Sequence, residues 1–320
     1  MNTKYILIIL GEPYGTFSEI LGKYFKRKKK LKKKVILVGC KSLLKKQLHD
    51  LNYLFELNEI KSIKKAKQNV VNIIDVKFNY KKIYSKVSIK SNSYIRKCFD
   101  ISLKILKNNT DCILINGPIT KKTFLKKRYL GITEYLAKKT NTNREIMLIY
   151  NEKLSVSPIT THIPIKNVTK KISKKIIVKN TSMINDFYKK HFNKKIKIAI
   201  LGLNPHCETN DKFSEEDAII IPSINRLKES GINVDGPFSA DSFFLKKNIK
   251  RYDVVIGMYH DQVLTPIKTL FNFNAINITI GLPFIRISPD HGPNSTMLGK
   301  NISDPSSFFY AMNLINKKIK

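Results

Sequence analysis

Six short, apolar, β-rich runs punctuate this chain, at residues 5–10, 35–38, 112–115, 196–201, 254–257 and 276–280, and longer amphipathic segments lie between them. That alternation constrains the fold more than any other feature. Strands joined by helical crossovers run parallel, and a parallel sheet is stable only when helices cover it. The segment 94–106 is typical of the crossovers, with Ile95, Phe99, Leu103 and Leu106 recurring at helical spacing on one side. The chain is therefore read as α/β with a mainly parallel sheet. Its 320 residues suit one large unit or two domains. No internal repeat or flexible linker is visible, so a two-domain division has to involve crossings of the chain.

The run at 5–10 is too short to span a bilayer and leads into Gly11-Glu12-Pro13, not into a small-residue cleavage site, so it reads as the first buried strand. No membrane partner is expected. Cys40, Cys98, Cys112 and Cys207 are scattered without a C-x-x-C pair, which fits a reduced, cytoplasmic protein. The formal net charge of +35 raises nucleic acid as a partner. Yet between residues 252 and 299 the only cations are Lys268 and Arg286, against Asp253, Asp261 and Asp290. The excess charge avoids the stretch richest in chemical motifs, and lysine runs such as 26–34 read as solvated faces. No nucleic acid is expected, although a basic nucleic-acid-binding protein remains the alternative of a different class.

Unusual residues fall where the apolar runs end. Gly11-Glu12-Pro13, Asn116-Gly117-Pro118, Asn204-Pro205-His206 and Tyr259-His260-Asp261-Gln262 each follow a strand-like run. Ligands of open α/β sheets bind outside the carboxyl ends of the strands, so these loops are expected to converge on one cleft. Three of the six histidines, His162, His206 and His260, occupy such loops. Taken singly, each reads first as a hydrogen-bonding core or loop residue. Together they are a candidate divalent-metal set, because neutral imidazoles leave the charge of the ion available as a Lewis acid. Asp261 could orient an imidazole, bind substrate or accept a proton, with a strand-end cap as the plain alternative. Asp241, in Gly236-Pro237-Phe238-Ser239-Ala240-Asp241, reads equally as a catalytic carboxylate or a helix cap. Lys268, Asn277 and Arg286 form a second constellation suited to an anionic group such as phosphate. The plain alternative for Arg286 is an ion pair with Asp290.

The ordered string of motifs is more specific than any member. To those above it adds Asn116-Gly-Pro-Ile-Thr-Lys121, Thr133-Glu134-Tyr-Leu-Ala, Thr-His162-Ile-Pro, Gly-Leu-Pro-Phe-Ile-Arg286 and Asp290-His291-Gly292. Over essentially its full length the chain resembles the 4-hydroxythreonine-4-phosphate dehydrogenase family of vitamin B6 biosynthesis. The resemblance implies a two-domain isocitrate/isopropylmalate dehydrogenase-like fold with helices on both faces of the sheet. One domain would hold residues 1–127 plus 300–320, the other residues 128–299 with most metal and substrate residues. It implies a homodimer with a shared active site, a divalent ion (zinc, magnesium or cobalt) on His162, His206 and His260, and a phosphorylated substrate contacting Thr133, Lys268, Asn277 and Arg286. NAD or NADP would be held through His291 and Gly292, in place of a Rossmann G-x-G-x-x-G, which the sequence lacks. The implied reaction oxidises 4-phosphooxy-L-threonine and then decarboxylates the product, with Asp241 and Asp261 as candidate bases.

Three departures stand out. Ile132 occupies the substrate-contacting position where the family reads His in Gly-His-Thr-Glu, which removes one polar contact. This keeps open a phosphorylated four-carbon sugar acid as the substrate. The N-terminal loop reads Tyr14-Gly15-Thr16-Phe17-Ser18-Glu19 in place of a glycine-rich turn, and Pro293-Asn294 replaces Thr-Ala after Gly292.

Overall fold

The computed structural model describes residues 3–28, 30–125, 129–208, 214–271, 275–289 and 292–319. The chain forms two compact units, Met1–Glu145 with Leu282–Lys320, and Ile146–Gly281.

In the first unit, six strands lie in the order β3-β4-β2-β1-β5-β12. These are β1 (Tyr5–Ile9), β2 (Lys34–Gly39), β3 (Leu57–Glu59), β4 (Val71–Asp75), β5 (Cys112–Asn116) and β12 (Ile285–Ser288). Every pairing is parallel, with Leu7 opposite both Ile36 and Leu114. The helices of eight or more residues here are α1 (Phe17–Arg27), α2 (Lys41–Asp50), α3 (Asn92–Asn108), α4 (Ile132–Lys139) and α8 (Ser306–Lys317). Leu7, Ile9, Ile36, Val38 and Leu114 pack in one core with Ile95, Cys98 and Phe99 of α3. Their neighbours Ile6, Ile8, Leu37 and Ile113 point the other way and are equally buried, so both faces of the sheet are covered. This is why the runs are continuously apolar and do not alternate.

The second unit contains β6 (Ile146–Tyr150), β7 (Ser155–Thr160), β8 (Ile198–Leu201), β9 (Val234–Phe238), β10 (Val254–Tyr259) and β11 (Ile276–Ile280), in the order β11-β6-β7-β10-β8-β9. Strand β6 is antiparallel to both neighbours, and the remaining pairs are parallel. Its longer helices are α5 (Lys174–Phe187), α6 (Ile221–Glu229) and α7 (His260–Phe271).

The units divide at 145/146 and 281/282, in place of the expected 127/128 and 299/300. Two sets of contacts move the borders. Ile132, Tyr135 and Leu136 of α4 join the core of the first unit, where the Tyr135 ring lies 5.4 Å from Phe99 and 5.3 Å from Phe124. Strand β12 pairs with β5, Ile285 opposite Ile113. Ile132, Thr133, Arg286 and Gly292 therefore belong to the first unit, not the second.

Candidate functional site

Three neighbouring parallel strands of the second unit, β7, β10 and β8, carry the three histidines just beyond their carboxyl ends, His162 after β7, His260 after β10 and His206 after β8. Two side chains lock these ends together. Thr160 Oγ1 donates to the Met258 carbonyl at 2.7 Å, tying β7 to β10. Gln262, buried in the first turn of α7, accepts from the Met258 N–H through Oε1 and donates from Nε2 to the Gly202 carbonyl, both at 2.7 Å, tying β10 to β8. A Cβ at Gly257 would stand 2.5 Å from Val263 Cγ1 and 2.9 Å from Gln262 Oε1, so a side chain there would displace this tie.

The rings of His162 and His260 face each other with centres 5.9 Å apart and planes inclined by 39°. Two imidazoles on one tetrahedral ion place their ring centres about 5 Å apart, so this pair fits the donor chemistry of a divalent site. His260 Nδ1 lies 2.7 Å from Asp261 Oδ1. With the carboxylate as acceptor, Nδ1 is the donor, and a neutral ring then keeps its Nε2 lone pair for a ligand. Of the roles expected of Asp261, this contact matches the orienting one. The structure leaves the third ring elsewhere: His206 is exposed, with Nδ1 3.9 Å from Asp241 Oδ2. Among the described residues, no three His, Cys, Asp or Glu side chains are gathered tightly enough to hold an ion. Asp241 is not itself the helix cap, a position that Ser239 holds. The Ser239 hydroxyl, the backbone N–H of Ser242 and the nearby His206 keep its carboxyl below the usual range.

His206 owes its position to backbone strain. Both His206 (φ 57°) and Cys207 (φ 61°) are left-handed, a conformation that costs a residue with a side chain about 1–3 kcal/mol. Glu216 offsets that cost. It is 1% exposed, its Oε1 accepts from the N–H groups of Leu203 (2.7 Å) and Asn204 (2.9 Å), and its Oε2 accepts from Asn204 Nδ2 (2.8 Å). Hydrogen bonds to a charged group contribute about 1.5–3 kcal/mol each, enough to hold two strained residues. Burial pushes the Glu216 carboxyl up, but the donors from Asn204 and Leu203 outweigh it and the group stays below its ordinary range.

The anion constellation is divided between the units. Arg286, on β12 of the first unit, is 3% exposed. It donates from Nε to Asn116 Oδ1 at 2.8 Å and from Nη1 to Thr133 Oγ1 at 2.9 Å, which joins three of the sequence motifs around one guanidinium. Burial pulls Arg286 down from 12.5 to about 10 while the Glu134 carboxylate raises it, so the group remains a cation at neutral pH. Ile132 is 8% exposed and belongs to the apolar core, so it offers no polar contact. In the second unit, Lys268 lies exposed on α7, and Asn277 lies on β11 with its Oδ1 buried and without a hydrogen-bond partner among the described residues.

Residues 31–315 match the family model of the pyridoxal phosphate biosynthetic protein PdxA. The chain belongs to the PdxA family. It is 37% identical over 316 residues to a 4-hydroxythreonine-4-phosphate dehydrogenase of Sulfurihydrogenibium sp. (strain YO3AOP1), covering 97% of this chain and 96% of that protein. It is also 29% identical over 300 residues to a D-threonate 4-phosphate dehydrogenase of Salmonella typhimurium, covering 91% and 92%. Among solved structures, the 4-hydroxythreonine-4-phosphate dehydrogenase of Klebsiella pneumoniae superposes with a TM-score of 0.84 at 28% identity, covering 98% of this chain and 97% of that one. The fold is shared more distantly with a β-decarboxylating dehydrogenase of Thermococcus kodakarensis, at a TM-score of 0.54 and 13% identity, covering 98% and 83%.

Two further motifs of the sequence meet in the first unit. The Gly11 and Gly117 turns clasp each other: Glu12 N–H donates to the Pro118 carbonyl at 2.9 Å, and a Cβ on Gly11 (φ 75°) would lie 2.4 Å from that oxygen. The 14–19 and 293–294 segments also touch, through Thr16 N–H and the Pro293 carbonyl at 3.2 Å. Gly292 is exposed beside them, and His291 lies outside the described residues. Glu19, in the first turn of α1, is structural, since it is buried and accepts from the Ser303 N–H and Lys23 Nζ. Sequence reasoning missed Glu216, Gln262 and Thr160 as organising residues. Only Gln262 carried a signal, as the last member of Tyr-His-Asp-Gln.

Proposed function

We propose that this chain is a 4-hydroxythreonine-4-phosphate dehydrogenase that oxidises 4-phosphooxy-L-threonine with NAD or NADP as the hydride acceptor. The observation that carries this reading is the histidine-bearing edge of β7, β10 and β8 in a chain of the PdxA family. The C3–H bond gives its hydride to the nicotinamide ring and the C3 hydroxyl gives its proton to a base. The product is 2-amino-3-oxo-4-phosphooxybutanoate. Its ketone lies β to the carboxylate, so the C1–C2 bond breaks with loss of carbon dioxide, and protonation at C2 leaves 3-amino-2-oxopropyl phosphate.

His162, His206 and His260 are the groups that would hold a divalent ion, zinc, magnesium or cobalt. Such an ion supplies positive charge that lowers the pKa of the C3 hydroxyl and stabilises the negative charge left by decarboxylation. Asp261 keeps the His260 proton on Nδ1. Asp241, ionised at neutral pH, is the candidate base. Thr133, Lys268, Asn277 and Arg286 hold the phosphorylated substrate, and remote binding energy of this kind fixes the reacting carbon in place. The segment of His291 and Gly292 binds the cofactor. The enzyme acts as a homodimer in the cytoplasm.

Purified protein with NAD, a divalent ion and 4-phosphooxy-L-threonine should form reduced nicotinamide, and His206→Ala should abolish it. Unchanged turnover in that variant would remove the metal assignment. A second reading, dehydrogenation of a phosphorylated four-carbon sugar acid, is favoured by the apolar burial of Ile132 and by the Salmonella relative. Faster turnover of D-threonate 4-phosphate in the same assay would replace the first reading with the second.

A further inference from the structure

Nothing in the sequence motifs points to Glu216, yet the loop that carries His206 is built around its carboxylate. Residues 202–207 leave β8, and a side chain at position 202 would displace its neighbours. A Cβ on Gly202 would lie 2.6 Å from Cys207 Sγ and 3.0 Å from Glu216 Oε1. Asn204 is held twice over, its Nδ2 donating to Glu215 Oε2 at 2.9 Å as well as to Glu216. The carboxylate enters from a π-helical turn, Glu216–Ile220, that runs directly into α6. Such turns change the direction of a side chain without ending the helix and recur at functional sites. A rigid helix, one buried carboxylate and a loop with two consecutive left-handed residues therefore form a single device whose exposed product is the His206 imidazole.

We propose that Glu216 is a positioning residue which, by clamping Leu203 and Asn204, holds His206 in its left-handed conformation and thereby fixes the direction in which this imidazole is presented to a metal ion. The inference rests on the reading of His206 as a metal ligand. Outer partners that orient a ligand typically contribute 10–100-fold in metal affinity. Glu216 is buried and bonds to Leu203 and Asn204, so its effect on the ion passes through the loop that carries His206.

The test is Co²⁺ titration of the full-length apoprotein, followed by visible absorption of the bound ion, on wild type, Glu216→Gln, Asn204→Ala and His206→Ala. Circular dichroism reports on folding. Glu216→Gln should bind Co²⁺ about 10–100-fold more weakly and with an altered spectrum. Asn204→Ala removes one arm of the clamp without touching the carboxylate and should move affinity in the same direction by a smaller factor. Glu216→Asp, which keeps the charge, should recover part of the loss. Wild-type affinity and spectrum in folded Glu216→Gln would overturn the proposal. If Glu216→Gln does not fold, wild-type binding by Asn204→Ala would overturn it equally. His206→Ala separates the two failures. Loss of Co²⁺ binding there, with wild-type binding in the clamp variants, refutes the clamp alone, whereas unchanged binding by His206→Ala refutes the metal reading beneath it.

Discussion

Replacing Gln262 with Glu exchanges one donor for an acceptor at the point where the ends of β10 and β8 are tied. The carboxylate can still accept from the Met258 N–H, but it cannot donate to the Gly202 carbonyl, now 2.7 Å away. One buried hydrogen bond is lost and two acceptors face each other at 8% exposure. A buried acceptor left without a donor costs about 1–3 kcal/mol, and more when it is charged, so the variant should be destabilised by about 3 kcal/mol at neutral pH. Protonation restores the donor. At 1.36 kcal/mol per pKa unit, that penalty raises the folded-state pKa by about 2, from near 4.3 to about 6. The folded protein then binds more protons than the unfolded chain between about pH 4 and about pH 6, so the deficit grows as pH rises through that window and is constant above it. Equilibrium urea unfolding of wild type and variant at several pH values, followed by circular dichroism, measures the difference. A variant as stable as wild type at about pH 8, or a deficit that does not shrink toward about pH 4.5, would show that Gln262 does not bridge the two strand ends.

Two other perturbations follow from the structure. Arg286→Met removes a cation whose burial penalty is about 3 kcal/mol together with two hydrogen bonds of about 1.5–3 kcal/mol each, so stability should change by less than about 3 kcal/mol. Protection against thermal unfolding by inorganic phosphate should vanish in that variant, and equal protection of both proteins at matched ionic strength would show that Arg286 is purely structural. His191 is pulled down to about 4 by burial and by Lys190, below its ordinary 6.5. The unfolded chain therefore binds more protons between those values, and stability rises with pH across the window and levels off above it. In His191→Gln this component should be missing, by at most about 2–3 kcal/mol, in unfolding curves compared across the same range.

The sequence by itself determined the α/β class, the positions of the six principal strands, and the placement of His162, His206 and His260 beyond strand ends. These follow from local period and from burial on both faces, which force continuous apolar runs such as the one at 5–10. Other strands were missed, the apolar β6 among them. Strand β3 has three residues and ends its sheet order, while β9 contains Gly236 and Pro237, which an edge position tolerates. Only the tertiary structure decided that β12 pairs with β5 and brings Arg286 beside Asn116 and Thr133, since a strand carries no local mark of its partner. Ile132 shows the same limit: its sequence position marks a missing polar contact, and only packing reveals that it has joined a core. The strain at His206 and the Glu216 carboxylate that offsets it were likewise decided by folding, because a buried charge is stable only where distant backbone donors converge on it.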